Sequence, residues 1–180
     1  EQTVTECLAA GVNESTDAKF RLRLASRDDV NTIVRLVQGL AVYEKEPDAV
    51  NLTAEDYLLD GGSEEPLFYC LMLDYVDGDK PVYTCGMSFL YFGYILGEGR
   101  FLYLEDLFLE EAYRKRGGGS LAMKSLARLS TALECTQFYW VALDWNTPAL
   151  NLYKKIGAKV QEGVFTTRYG GEALKSFASD

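Results

Sequence analysis

Two acids, Glu105 and Asp106, interrupt the otherwise apolar run from Phe101 to Leu109. Carboxylates in such a run are costly unless they are paired or functional, and a cationic amine is a ligand they suit. Next comes a basic turn, Arg114-Lys115-Arg116, followed by Gly117-Gly118-Gly119-Ser120. Glycines lack a Cβ and so let a ligand approach the main chain. If a helix begins there, its first N–H groups and the positive end of its dipole face that ligand. The basic side chains add charge, and arginine adds forked donors suited to phosphate. Two plainer readings stay open on these residues alone: a solvated strand-to-helix loop, and a structural ion pair for either acid.

The elements that must position these groups follow from periodicity. Phe20 to Leu24 alternates and reads as a first strand. Ser26 caps a helix with Val30, Ile33, Val34 and Val37 on one face, and Leu40 to Lys45 leaves it carrying Tyr43 and Glu44. Thr53 with Asp56 caps a short helix ending at Gly61-Gly62. The apolar runs 67–76 and 82–94, joined by Asp77 to Pro81, form a hairpin, and Gly97-Glu98-Gly99 turns the chain into a central strand. After the glycine turn, Ala122, Leu126, Leu129 and Leu133 mark a helix face. Gln137 to Leu143 reads as a buried strand. Pro148 opens a helix capped by Thr147 or Asn146, with Ala149, Leu152, Tyr153 and Ile156 on one face and Gly157 at its end. Val160 to Tyr169 reads as a last hairpin and Glu172 to Ala178 as a terminal helix.

With 180 residues, the chain suits one domain over 18–180, preceded by a polar, poorly ordered tail over 1–17. A net charge of −9 disfavours nucleic acid and favours a cationic small molecule or basic peptide. Histidine is absent, which excludes histidine triads and the usual structural zinc patterns, so no metal is expected. Cys7, Cys70, Cys85 and Cys135 show no C-x-x-C spacing; Cys70, Cys85 and Cys135 read as buried thiols of a reducing, cytoplasmic compartment. No run approaches a membrane span, and a targeting segment removed ahead of residue 1 remains open.

The loop lacks the lysine that follows the glycines of a P-loop, and the G-x-G-x-x-G of a dinucleotide fold. Arg114-x-x-Gly117-x-Gly119, set after a strand and opening a helix, resembles the acyl-CoA pyrophosphate loop of the GNAT superfamily of N-acetyltransferases. Tyr103-Leu104-Glu105-Asp106, Tyr113-Arg114, Gly117-x-Gly119-Ser120, Asp144-Trp145-Asn146 and Tyr153-Lys154, in order and spacing, resemble its diamine acetyltransferase branch, from about Ala18 to the end. That branch includes spermidine/spermine and thialysine acetyltransferases. The resemblance implies an α/β (α+β) fold whose mixed, mostly antiparallel twisted sheet has about six to seven strands, flanked by helices and splayed at the acetyl-CoA site. It also implies a homodimer.

It further implies that acetyl-CoA meets the main chain of Leu107, Phe108 and Leu109, the loop Arg114, Lys115, Arg116, Gly117, Gly118, Gly119 and Ser120, and then Asn146 and Tyr153. An aliphatic amine has a pKa near ~10.4, so its attack on an acyl group requires proton loss. Without histidine, Glu105 is the residue expected to hold the amine and pass its proton on through water. Tyr153 resembles the family's general acid, a phenol that stays protonated at neutral pH. Tyr43, Glu44, Asp106, Asp144 and Glu162 complete an acidic substrate pocket in this reading. Ile95 stands where polyamine-specific members carry an acid for the distal cation. Glu44-Lys45 and Leu143-Asp144-Trp145 are closer to the thialysine branch, so thialysine-like amino acids rank ahead of spermidine, with other diamines included. The rivals are a GNAT enzyme acting on protein amines and a catalytically silent acyl-CoA-binding dimer.

Overall fold

A computed structural model describes residues 6–7 and 19–179. The expectation for residues 1–17 falls, apart from Glu6 and Cys7, outside the described residues. The chain forms two compact units, one ending at Val141 and the other beginning at Ala142.

The first unit is built on a five-stranded sheet in sequential order: β1 (Phe20–Leu24), β2 (Tyr69–Tyr75), β3 (Tyr83–Ile95), β4 (Gly99–Leu109) and β5 (Gln137–Trp140). The first four strands pair antiparallel, and β5 joins β4 parallel over Phe101–Leu104 only. Helix α1 (Val30–Tyr43) continues a 3-10 turn over Arg27–Asp29, where Asp29 and Ser26 form a capping box. Helix α2 (Ala54–Gly61) is capped by Thr53 and Asp56, as its sequence predicts. Helix α3 (Gly118–Ala132) follows the glycine turn.

Helices α1 and α2 cover one face of the sheet. There Ile33, Leu36 and Leu40 pack with Cys70, Met72, Met87, Phe89 and Phe108, and with Tyr57 of α2 at the margin. The buried stripe of α1 is therefore centred on Ile33, Leu36 and Leu40 rather than on the valines; Val37 flanks it. Helix α3 covers the opposite face with Ala122, Met123, Leu126 and Leu129 buried. Its first residue, Gly118, lies so close to the sheet that a Cβ would stand 2.8 Å from a methyl of Leu109 and 3.0 Å from one of Leu73.

Helix α4 (Thr147–Lys155) and helix α5 (Gly171–Ser179) belong to the second unit. The hairpin expected over 160–169 is not formed, so the described residues hold five strands instead of six to seven. A strand persists only where a neighbour satisfies its main chain. Gly163, at φ +76°, breaks the extended path midway, and Val160, Val164 and Phe165 are exposed. The strand expected over 137–143 ends at Trp140, and most of its residues are half-buried.

Candidate active site

The register of β3 and β4 sets the site. Phe89 pairs with Asp106, yet Leu90 pairs with Leu104, so the ladder skips Glu105. This is a β-bulge, and one extra residue exchanges the faces of everything beyond it. Leu102 and Leu104 point toward α3, whereas Asp106 and Phe108 point toward α1. Pairing with β5 also stops at Leu104. From Glu105 to Leu109, β4 keeps β3 on one edge and has no strand on the other among the described residues.

Asp106 opens into a cleft of about 210 Å³ whose walls include Glu44 at the end of α1, Tyr57 of α2, Asn51 and Leu52. Burial, then the charges of Glu105 and Glu44, push its carboxyl up to about 6. The same surroundings act on Tyr57: burial first and the Asp106 charge second raise its phenol. Glu105 is exposed on the bulge and does not line this cleft. Its charge contributes, after burial, to raising the phenol of Tyr91. Tyr91 in turn stacks on Tyr103 with ring centroids 5.0 Å apart.

Past Leu109, Glu110 accepts from Tyr83 Oη at 3.1 Å and pairs with Arg35 of α1, which also donates to the Thr84 carbonyl at 2.8 Å. Arg114 donates Nε to the Leu109 carbonyl at 2.7 Å and lies 4.3 Å over the Tyr43 ring. It thus ties the loop to the end of β4 and to α1. Lys115 and Arg116 are exposed; Arg116 also lies beside Tyr75 and Tyr113. Gly117 caps α3 at φ +96°, a region open to glycine. The first intrahelical bond runs from Leu121 N–H to the Gly117 carbonyl at 2.9 Å. The N–H groups of Gly118, Gly119 and Ser120 precede it, forming the cradle that suits a phosphate.

In the second unit, Asn146 caps α4 by accepting from the Ala149 N–H at 3.4 Å. Burial raises the phenol of Tyr153 above its ordinary value. Asp144 and Glu162 are exposed, in a turn and in a bend of the unpaired segment after α4. Glu44 and Asp106 are therefore the two predicted substrate residues that one cleft brings together. Tyr57 was missed. Its sequence signal was an aromatic one turn into a well-capped short helix, which marks packing as readily as binding.

Among the described residues, no cluster of three acidic or cysteine ligands could hold a metal. No described helix is long and apolar enough to cross a membrane.

Residues 33–158 match the acetyltransferase (GNAT) family. A thialysine N-epsilon-acetyltransferase of Sus scrofa is 36% identical over 167 residues, which cover 89% of this chain and 98% of that protein. A spermidine/spermine N(1)-acetyltransferase-like protein 1 of Homo sapiens is 34% identical over 93% of this chain, which spans 25% of that protein's length. In fold, the chain is similar to an aminoglycoside N-acetyltransferase solved in complex with CoA, at a TM-score of 0.65 and 16% identity, covering 87% of this chain and 98% of that one.

Proposed function

The chain belongs to the acetyltransferase (GNAT) family, and from that premise we propose that it acetylates the primary amine of a small cationic acceptor with acetyl-CoA, a thialysine-like basic amino acid ahead of diamines and polyamines. One observation carries the reading. At Glu105, β4 both loses its β5 partner and turns Asp106 into the cleft with Glu44. An open strand edge for an extended thioester and an acidic socket for an amine thus begin at the same residue.

The donor fits the residues present. The Gly118–Ser120 N–H groups with Lys115 and Arg116 suit a pyrophosphate, with Arg114 holding the loop in place. The free edge over Leu107, Phe108 and Leu109 suits a chain that pairs as a strand would. Acetyl-CoA supplies an activated acyl group on sulfur. Glu44 and Asp106 attract the ammonium form of the acceptor, with Tyr43, Asp144 and Glu162 as the remaining acidic-pocket candidates. Glu105, in contact with water on the bulge, takes the proton that must leave before the nitrogen can attack. Tyr153 provides the proton for the departing sulfur, with Asn146 near the start of its helix as a CoA contact. A homodimer and a cytoplasmic location accompany this reading as implications of the resemblance.

The test is thiol release from acetyl-CoA with thialysine, lysine, putrescine and spermidine offered in parallel. Amine-dependent release, highest with thialysine, is expected. Release that no amine stimulates would overturn the proposal.

A further inference from the structure

One stripe of helix α1 runs along the last part of β4. Arg35, Gly39 and Tyr43 are four residues apart and so share a face of the helix. Each meets a different residue near the end of the strand. Arg35 pairs with Glu110 and donates to the Thr84 carbonyl. Gly39 lies against the Phe108 ring, where an added Cβ would stand 3.0 Å from two ring carbons. Tyr43 presents its ring to the Arg114 guanidinium, whose carbon is 4.3 Å from the ring centroid.

Arg114 is held from three sides. The Phe108 ring lies near it as well, at 5.6 Å, and its Nε donates to the Leu109 carbonyl at 2.7 Å. A planar cation set against two rings with one N–H fixed has little freedom left. That matters for the residues that follow. Lys115 takes φ +60° and Gly117 φ +96°, and the left-handed region is unfavourable to a residue that carries a Cβ, as Lys115 does. The path from Arg114 to the first N–H groups of α3 therefore needs an anchor outside the loop, and α1 provides it.

Tyr43 is half-buried and is not among the residues that wall the acidic cleft, whereas its neighbour Glu44 is. The end of α1 thus serves two places, Glu44 the cleft and Tyr43 the loop. We propose that Tyr43 is a positioning residue for the acetyl-CoA loop, acting on Arg114 through its ring face, and not a ligand of the amine. This rests on the proposed function for the identity of the donor, and it moves one candidate of the acidic pocket to the donor side. The chemistry separates the two roles. A cation–π contact uses the ring face, which phenylalanine also has; a ligand of an ammonium would use the phenol oxygen, which phenylalanine lacks.

The experiment measures CoA affinity by calorimetry on the amine-free protein, and KM for acetyl-CoA and thialysine in thiol release. Tyr43→Leu should weaken CoA and raise KM for acetyl-CoA by about 5- to 30-fold, with KM for thialysine moved by less than about threefold. Tyr43→Phe should recover most of the loss. With Arg114→Gln already in place, Tyr43→Leu should weaken CoA by less than about twofold further, because its partner is gone, whereas a ring that merely supports the fold would add its full effect. Unchanged CoA affinity in Tyr43→Leu, additive effects in the double variant, or a Tyr43→Phe protein that loses thialysine but not acetyl-CoA would overturn this inference while acetyl transfer to amines stands. Wild-type protein that binds no CoA would overturn the proposed function, and this inference with it.

Discussion

Replacing Asp106 with Asn should stabilise the free protein at neutral pH and leave its stability in acid almost unchanged. The Asp106 carboxyl has an ordinary pKa of 3.8 and one of about 6 in the fold, chiefly through burial and then through Glu105 and Glu44. Between those values the native state keeps a proton that the unfolded chain has released. The free energy of unfolding therefore falls as pH rises through this window and is flat above about pH 6. The window is 6 − 3.8, or about 2.2. At about 1.4 kcal/mol per pH unit it costs up to about 3 kcal/mol. Asparagine keeps the shape and cannot ionise, so it removes that cost. Urea denaturation of both proteins from about pH 3.5 to about pH 8 should show a difference near zero in acid, growing to about 1–3 kcal/mol in favour of the variant. A difference independent of pH, or an unstable variant at about pH 8, would refute the reasoning. Thialysine supplies the missing countercharge, so its affinity for the wild type should tighten as pH rises through about 6, and the substitution should flatten that dependence.

Tyr153→Phe should reduce thiol release on the order of a hundredfold while CoA still binds, and Glu105→Gln should do the same without destabilising the fold, because Glu105 is exposed and its charge only raises the Asp106 carboxyl. Unchanged turnover would remove either residue from the mechanism. Gly118→Ala should cost about 1–3 kcal/mol in urea denaturation, since the new methyl meets Leu109 and Leu73 at 2.8 and 3.0 Å; an unchanged midpoint would contradict the packing. In acid, Asp29 is held at about 2, first by its hydrogen bonds from Arg23. Its folded value lies below the unfolded one, so its contribution is present above about pH 4 and fades as pH falls toward 2. Arg23→Gln should blunt that acid limb, which a pH series of thermal midpoints would show.

Capping chemistry and periodicity made most of the first unit readable. Thr53 with Asp56, the turn at 77–81 and the leucines of α3 each specify their element through contacts a few residues apart, and these elements form where the sequence places them; Ser26, expected to cap α1, caps the 3-10 turn that leads into it. The segment 160–169 was not readable in that way. Its apolar residues resemble a hairpin, but a hairpin needs an edge to pair with, and pairing is a long-range property that local pattern does not contain.

The bulge at Glu105 lies between these cases, because its signal was present in the spacing of four leucines. Leu102 and Leu104 are two apart, Leu107 and Leu109 are two apart, and the interval between the pairs is three. A regular strand with a leucine face would keep two throughout. The single interval of three requires one residue to drop out of the ladder if all four leucines are to meet α3, and Glu105 is the residue the register skips. The alternative, strict alternation, would send Asp106 into the leucine face against α3 and Leu107 toward α1. An unpaired carboxylate among leucines would cost several kcal/mol, whereas beyond the bulge it lines an open cleft beside Glu44. Hydrophobic burial of the leucines thus dictates the bulge, and the bulge delivers the acid to the cleft. The two acids that looked equivalent in the sequence are separated by this one step into a solvent-facing carboxylate and a half-buried one that lines the cleft.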